Sequence, residues 1–441
     1  MYSFYIETFG CQMNEKDSEI MEQLMRKNNY LPAEDMKTAD IIIINTCSIR
    51  AKAEQKVYSL LGSLRCRKKE NSIFLIAVAG CVAQQEGRKM ISRMPHVDLV
   101  IGPQSIYNLP DLLSKAEKSK KSIVETGLSP DFNIPLILPD PGNGAGHKRF
   151  VNIMQGCNNF CTYCIVPYTR GRESSREVGD ILAEVRHLVD HGVKEVTLLG
   201  QNVNSYGNDR SADRHTSFPE LLRQVAKVKG LKRLRFTTSH PKDLSPALIG
   251  CFREFDNLCP HFHLPVQSGS NAVLKRMNRK YTIEAYLEKV AGLREAQPDI
   301  ALTTDLIVGF PGETEKDFLA TMELLETVRY HSAFSFMYSS RPPALSCRYN
   351  DNVEKEEKSR RLNLLQRRQK EITLERNKEY VGRTMEVMVE GPSRNREGAS
   401  GRTGSNHIVN FPCSQVPGPG KMLQVKITRA CFNTLQGQII S

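Results

Sequence analysis

The sequence predicts an α/β protein in three parts: an N-terminal doubly wound parallel sheet, a central incomplete (β/α)6 barrel and a small C-terminal antiparallel β-barrel. Three observations carry this expectation. Strand-like and helix-like runs alternate from Ser3 to about Lys121, the pattern of a parallel sheet covered by helices. After a proline- and glycine-rich connector, Ser129 to His147, the alternation resumes and repeats six times, short of a full eight-stranded barrel. Beyond Tyr380 the runs shorten and are separated by Gly, Pro and Asn turns, as in a small antiparallel barrel. The expected boundaries are residues 1–125, a linker at 126–148, then 149–375 and 376–441.

In the first part, strands are expected at Ser3–Thr8, Asp40–Asn45, Ile73–Ala79 and Val97–Ile101. A helix is expected over Asp17–Asn28, where Ile20, Leu24 and Lys27 recur about one turn apart. Cys11, Cys47 and Cys81 each come just after one of the first three strands. Strands of a parallel sheet point the same way, so residues at their carboxyl ends converge on one rim, where doubly wound folds bind ligands. Each cysteine also precedes a predicted helix, whose N-terminal amides favour a thiolate over a thiol. The topology thus points to a site that no short motif would reveal, a 4Fe-4S cluster held by Cys11, Cys47 and Cys81. The plain alternative is three unrelated core cysteines. Cys66, in the basic run Arg65-Cys66-Arg67-Lys68-Lys69, follows no strand and is set aside.

In the second part, strands are expected at Phe150–Met154, Glu195–Gly200, Arg233–Thr238, Pro260–Pro265, Leu302–Val308 and Ala333–Tyr338. Ser175 precedes a helix whose Val178, Ile181, Leu182, Val185 and Leu188 form one apolar face; Ser217 with Glu220 and Thr314 with Asp317 have capping-box spacing. The loop after the first strand, Gln155 to Cys164, holds Cys157, Cys161 and Cys164 in the pattern C-x3-C-x2-C. A cubane cluster takes four thiolates, so three leave one iron open to another ligand. Zinc would call for a second Cys-x2-Cys knuckle or a Cys/His quartet, and no second knuckle is present. Active sites of such barrels lie at the carboxyl ends of the strands, where this loop sits. His261 and His263 share one face of a strand, as zinc ligands or, the better reading, as hydrogen-bonded barrel histidines. Cys251, Cys259 and Cys347 are isolated and read as packing residues.

The cysteine spacing resembles that of the radical S-adenosylmethionine (SAM) superfamily. Thr8-Phe9-Gly10-Cys11-Gln12-Met13-Asn14, Asn45-Thr46-Cys47-Ser48-Ile49-Arg50 and Gly80-Cys81-Val82-Ala83-Gln84 closely resemble the N-terminal domain of the radical SAM methylthiotransferases. The Gly-Cys-Gln-Met-Asn wording resembles the branch that acts on transfer RNA; the branch that modifies a ribosomal protein typically carries Gly-Cys-Pro-Lys-Asn there. The resemblance implies two 4Fe-4S clusters and SAM as cofactors. It implies that one SAM methylates a sulfur held at the Cys11/Cys47/Cys81 cluster, while a second, cleaved at the Cys157/Cys161/Cys164 cluster, yields a 5′-deoxyadenosyl radical. The product implied is a methylthio group on carbon 2 of an isopentenyladenosine next to the anticodon. An aromatic C–H offers little to acid-base catalysis, which is why a radical route suits it.

By the same resemblance, Tyr163, Gln201, Ser239, Gln267, Gly309 and Glu313 are expected to bind SAM, and Arg170, Arg172 and Arg402 to meet the substrate. The implied partners are the tRNA anticodon stem-loop, an electron donor such as a flavodoxin or ferredoxin, and a sulfur source. The chain departs from the family after the sixth strand: Arg341-Pro342-Pro343-Ala344 stands where Arg-Pro-Gly-Thr is usual, so contacts from that loop do not carry over. Rival readings are the same chemistry on a threonylcarbamoyl-modified adenosine or on a ribosomal protein, and, in another class, a non-catalytic iron-sulfur RNA-binding protein.

Val353 to Tyr380 reads as a long charged helix with Leu362, Leu365 and Ile372 inward, a brace between parts. Strands follow at Thr384–Val389, Ile408–Phe411 and Met422–Ile427, and residues 379–441 carry seven Lys/Arg against four Glu. Gly401 to Phe411 resembles the TRAM domain, an RNA-binding barrel; basic side chains there would grip phosphates, while Phe411 is expected to fill the core. The net charge of +12 favours a polyanion partner over a neutral one. No apolar run approaches the ~18 residues of a membrane span and no signal-peptide pattern opens the chain, so the expected compartment is the cytoplasm, where clustered thiols stay reduced.

Overall fold

A computed structural model describes residues 2–48, 51–71, 73–139, 146–211, 213 and 215–440. The first part is a six-stranded, all-parallel sheet. Its strands lie in the order Leu31–Pro32, Ser3–Phe9, Ile41–Thr46, Leu75–Gly80, Leu99–Ile101, Ile123–Glu125. Ile41–Thr46 and Leu75–Gly80 are buried along their whole length, as continuous apolar runs covered by helices on both faces must be. One face packs Phe4, Met21, Ile43 and Leu113, the other Ile42, Val57, Leu61 and Val78. Two further strands, Leu31–Pro32 and Ile123–Glu125, are too short to announce themselves in the sequence. The first helix runs Gln12–Lys27, starting earlier than its apolar spacing predicts, because Cys11 and Asn14 form a capping box at its N-terminus.

The connector leaves this sheet along its surface: the Ser129 N–H donates to Gln104 Oε1 at 2.8 Å and Ile134 is buried. Residues 140–145 of that connector, and Ile49 and Arg50 of the Asn-Thr-Cys motif, lie outside the described residues. Six parallel strands then form an open barrel from two three-stranded halves, Lys148–Asn152, Glu195–Leu199 and Arg233–Phe236, then His261–His263, Ala301–Val308 and Ser332–Met337. A bridge between Leu234 and Leu258 joins the halves. Among the described residues, Lys148–Asn152 and Ser332–Met337 do not pair with each other, which leaves one side open. The helix Gln12–Lys27 of the first part packs against Lys148–Asn152 at that opening.

The charged helix runs Lys355–Lys378 and acts as the expected brace. Leu365 and Ile372 join the barrel core, and Asn377 Nδ2 donates to the carbonyls of Cys431 and Phe432 at 2.9 and 3.1 Å. The last part is a closed five-stranded barrel, ordered Thr384–Pro392, Ala399–Thr403, Ile408–Phe411, Leu435–Ile439, Met422–Ala430. It is antiparallel except for one parallel pair, Ile408–Phe411 with Leu435–Ile439. Phe411 sits in its core as expected. This small barrel caps the amino-terminal ends of the large barrel's strands. Arg233 donates to the carbonyls of Arg402 at 2.6 Å and Glu386 at 3.1 Å, and Arg235 to those of Thr403 and Gly404 at 2.8 Å. No described helix is long and apolar enough to cross a membrane.

Candidate active site

The register of the N-terminal sheet aligns Phe9 with Thr46 and Thr46 with Gly80, so the residues that close its three central strands stand side by side. Neighbouring strands lie about 4.8 Å apart, and the next residues, Cys11, Cys47 and Cys81, emerge together on the carboxyl rim. The Cys47 thiol hydrogen-bonds Cys11 and, with Arg170 nearby, lowers the Cys11 thiol to about 6. Burial pushes the Cys81 thiol up, and Arg170 pulls it back. Gly80 turns the chain into Cys81 with a φ of +94°; a Cβ there would lie 2.5 Å from Asn45 Oδ1 and from the Thr46 carbonyl oxygen. Only glycine satisfies both the positive φ and that approach.

Two asparagines hold this rim. Asn14 Nδ2 donates to Asn45 Oδ1 at 3.0 Å and to the Thr46 carbonyl at 3.1 Å, and Asn45 Nδ2 returns a bond to the Asn14 carbonyl at 2.8 Å. Asn14 Oδ1 also accepts from the Cys11 backbone N–H and Sγ at 3.4 Å. Both asparagines stand inside the motifs read from the sequence, yet nothing in the residue pattern discloses that they lock one turn against the next.

The local triad lies on the loop after the first barrel strand. Cys157 and Cys161 are buried and Cys164 partly so; burial raises the thiols of Cys157 to about 11 and of Cys164 to about 12. Gly156 precedes the loop with φ +83°, where a Cβ would collide with the Arg172 carbonyl oxygen. Donors surround the sulfurs. Asn159 Nδ2 reaches Cys157 Sγ at 3.5 Å and Arg279 Nη1 reaches Cys161 Sγ at 3.4 Å. His240 Nδ1 accepts from the Lys242 backbone N–H at 3.1 Å, so its Nε2 carries the proton directed at Cys161 Sγ, 3.8 Å away. Burial holds His240 neutral. Arg279 also donates to Tyr163 Oη at 3.3 Å, the Pro265 carbonyl at 2.6 Å and Tyr281 Oη at 3.2 Å. Neither Arg279 nor the role of His240 follows from the sequence, because both meet the loop only through the barrel's curvature.

The residues expected around SAM line the same end of the barrel. Gln201 Oε1 accepts from the Gly156 N–H, while its Nε2, Ser239 Oγ and the Asn202 and Asn204 side chains include buried polar atoms without a protein partner. Such orphaned donors and acceptors fit a zwitterionic ligand that would satisfy them. Glu313 Oε2 accepts from the Gly309 N–H at 2.6 Å and from Arg361 at 2.8 Å, and its Oε1 is unpartnered. Gln267 adopts a left-handed φ of +77°. The turn Leu345–Arg348, just after the run that departs from the family pattern, meets the cysteine loop, the Ser346 N–H donating to the Thr162 carbonyl at 2.8 Å.

The three arginines expected at the substrate part company. Arg172 is exposed, its guanidinium 5.5 Å from the Phe160 ring, and Phe160 meets Tyr168 edge-on. Arg402 is half-buried between Glu390 at 3.3 Å and Asn406 Oδ1 at 3.2 Å. Arg170 is buried and pairs with Asp17 Oδ2 at 2.6 Å, out of reach of a surface phosphate. His261 and His263 belong to the barrel lining: His263 Nδ1 meets Thr303 Oγ1 at 3.0 Å and its Nε2 faces Asp305 at 3.5 Å, while burial keeps His261 neutral. Among the described residues no three His, Cys, Asp or Glu close around a single ion; a cubane is held otherwise, one thiolate to each of separate irons.

A cavity of about 750 Å³ opens between the three parts. Cys11 lines it from the first, Arg235, His263 and Phe334 from the barrel, and Arg402 and His407 from the small barrel. Phe334 is 53% exposed on the open edge strand, one of several apolar side chains, with Phe150, Phe236 and Phe432, in a chamber of mixed lining.

Comparison with known proteins covers most of the chain. Residues 3–102 match the uncharacterized protein family UPF0004, 151–325 the radical SAM superfamily and 378–440 the TRAM domain. A tRNA-2-methylthio-N(6)-dimethylallyladenosine synthase of Desulfotalea psychrophila is 53% identical over 446 residues, covering 99% of both chains. Proteins of the same name from Geobacter sulfurreducens and Clostridium tetani are 51% and 47% identical, each over 99% of this chain and over 97% and 96% of their own. Among solved structures, the radical SAM methyltransferase TsrM of Kitasatospora setae matches with a TM-score of 0.56 at 12% identity, over 76% of this chain and 73% of that one. The cobalamin-dependent radical SAM enzyme OxsB matches with a TM-score of 0.53 at 13% identity, over 82% and 56%. These two likenesses speak to fold alone.

Proposed function

Because the chain belongs to the family of tRNA-2-methylthio-N(6)-dimethylallyladenosine synthases, we propose that it adds a methylthio group to carbon 2 of a dimethylallyl-bearing (isopentenyl) adenosine beside the anticodon of transfer RNA. The observation that carries this reading is the meeting of Cys11, Cys47 and Cys81 on one rim, with Cys11 lining a chamber shared with the barrel. Three thiols from three strand ends of the sheet and three on one barrel loop suit two 4Fe-4S clusters with one open iron apiece. When bound, the clusters and SAM supply the electron, the radical and the seat for sulfur that the reaction needs.

The chain's own residues do the holding. Cys157, Cys161 and Cys164 would ligate one cluster, their sulfurs screened by Asn159, Arg279 and His240. Gln201, Ser239, Gln267 and Gly309 to Glu313 would bind SAM, with Tyr163 set by Arg279. Phe334 offers an apolar surface for the dimethylallyl group, and the Phe160, Tyr168 and Arg172 patch offers stacking and phosphate contact at the rim. Arg394, Arg396, Lys421, Lys426 and Arg429 are exposed on the small barrel and would grip RNA phosphates. A loop nucleotide is cheaper to extrude into a chamber than one in a duplex. Electrons come from a donor such as a flavodoxin or ferredoxin, and sulfur from a separate source. The cytoplasm is the compartment this substrate requires.

The test is nucleoside mass spectrometry after the anaerobically reconstituted protein is incubated with SAM, reductant, sulfide and tRNA carrying the dimethylallyl group. A new 2-methylthio nucleoside on that tRNA is expected. Product confined to threonylcarbamoyl-bearing tRNA, or to a ribosomal protein, would overturn the reading.

A further inference from the structure

Arg170 follows the Cys157–Cys164 loop in sequence, yet its side chain ends in the other domain. Its backbone belongs to the cysteine loop: its N–H donates to the Val166 carbonyl at 2.8 Å and its carbonyl accepts from Gln155 Nε2 at 3.4 Å. The side chain, 3% exposed, crosses to the N-terminal domain and donates from Nη2 to Asp17 Oδ2 at 2.6 Å. The guanidinium also faces Cys81 and Cys11. Its other terminal nitrogen, Nη1, is buried and makes no well-formed hydrogen bond within the fold, while the guanidinium interacts with the Cys81 thiol. A buried, unsatisfied N–H of a charged group is costly unless something accepts from it. Asp17, the second member of the pair, lies on the helix that Cys11 caps, so the pair sits directly behind the rim.

We propose that Arg170 is a positioning residue of the Cys11/Cys47/Cys81 site: Nη1 donates a charge-assisted hydrogen bond to the sulfur-rich centre held there, raises its reduction potential and fixes it relative to the loop of the second triad. This rests on the reading that a 4Fe-4S cluster occupies that rim. The physical ground is simple. A reduced cluster carries one more negative charge than an oxidised one, and hydrogen bonds to its sulfurs together with local net charge set its potential. A guanidinium in a water-free interface acts at low dielectric and is little screened. Asp17 opposes it, so the two side chains bias the centre in opposite senses.

The test uses the full chain with Cys157, Cys161 and Cys164 all changed to Ala, reconstituted anaerobically, so that the N-terminal centre alone is seen by redox titration and EPR. About four iron per chain are expected in this parent. Arg170→Gln should lower the midpoint potential, changing the reduced-to-oxidised ratio at fixed potential at least tenfold, about 59 mV for one electron. Asp17→Asn should raise it, and Arg170→Lys, which keeps the charge and the pair but not the fork, should fall between parent and Arg170→Gln. A mere clip between domains would move both Asp17→Asn and Arg170→Gln the same way, by loss of iron or of stability. Equal shifts in one direction, or a potential insensitive to Arg170→Gln, overturn the proposal. A parent without iron overturns the reading beneath it instead.

Discussion

Replacing Glu184 by Leu should separate the first two parts of the molecule more effectively than any other single change at their interface. Lys16 Nζ meets Glu184 Oε1 at 3.1 Å and Arg176 Nη1 meets Oε2 at 2.6 Å, with the three side chains 2–3% exposed. Lys16 comes from the first helix, while Arg176 and Glu184 come from the barrel, so this carboxylate is the shared counter-ion of two cations across the interface. Its removal leaves Arg176 without a counter-ion and Lys16 with Glu19 alone, 3.3 Å away, in a water-poor contact, which costs about 3–5 kcal/mol. Lys16→Met alone should cost less, about 1–3 kcal/mol, because Glu184 keeps Arg176. In the Glu184→Leu background, Lys16→Met should cost little or be stabilising, since a buried cation that keeps only the partly exposed Glu19 is being removed. The measurement is urea unfolding with proteolysis in the connector as the probe of separation. With a slope of ~1–3 kcal/mol per molar, Glu184→Leu should move the midpoint by roughly 1 M or more. Additive single effects, or a Glu184→Leu loss below about 1 kcal/mol, would refute the argument. The same carboxylate sets the acid response. Burial opposes its charge, but Lys16 and Arg176 outweigh burial and hold its pKa below the usual range. A depressed folded pKa gives stability that is complete above the unfolded value of about 4.3 and lost as pH falls through the folded one. The interface should therefore loosen in acid below about pH 4 in the parent, and not in the Lys16→Met/Glu184→Leu double variant.

Three further expectations concern the sites. Gly80→Ala forces a side chain into a φ of +94° and against the Thr46 carbonyl, at a strain of about 1–3 kcal/mol; it should displace Cys81 and halve the iron taken up on reconstitution while sparing SAM cleavage. Arg279→Lys cannot reproduce a fork that serves Cys161, Tyr163, Pro265 and Tyr281, and the loss of charge-assisted bonds worth about 1.5–3 kcal/mol should slow 5′-deoxyadenosine formation by about ten- to a hundredfold with tRNA affinity unchanged. Arg394→Ala with Arg396→Ala, both exposed on the small barrel, should weaken tRNA binding and reduce its salt slope by roughly 0.7 for each phosphate no longer neutralised; an unchanged slope would remove these two from the RNA surface.

Regular elements with strong periodicity were legible, and weak ones were not. The strands Ala399–Thr403 and Leu435–Ile439 escape notice because their Ala, Ser, Gly and Gln residues have little strand propensity, and only pairing within a closed barrel makes them strands. The small barrel's one parallel pair is likewise a product of closure. The expectation that Arg170 meets the substrate came from the family resemblance of the run after the cysteine loop, whereas its side chain is buried against Asp17.

What the amino-acid order determined by itself is whatever depends on near neighbours or on strand direction. The spacing of Cys157, Cys161 and Cys164 is local, and the convergence of Cys11, Cys47 and Cys81 follows once the sheet is parallel, because parallel strands share a carboxyl edge. Tertiary structure alone decided which groups face those sulfurs. Arg170, His240 and Arg279 reach them through domain packing and barrel curvature, and the chamber shared by Cys11, Phe334 and Arg402 exists only where three separately cored parts meet. Side-chain reach across such interfaces depends on the relative placement of whole elements, and no periodicity along one chain encodes that.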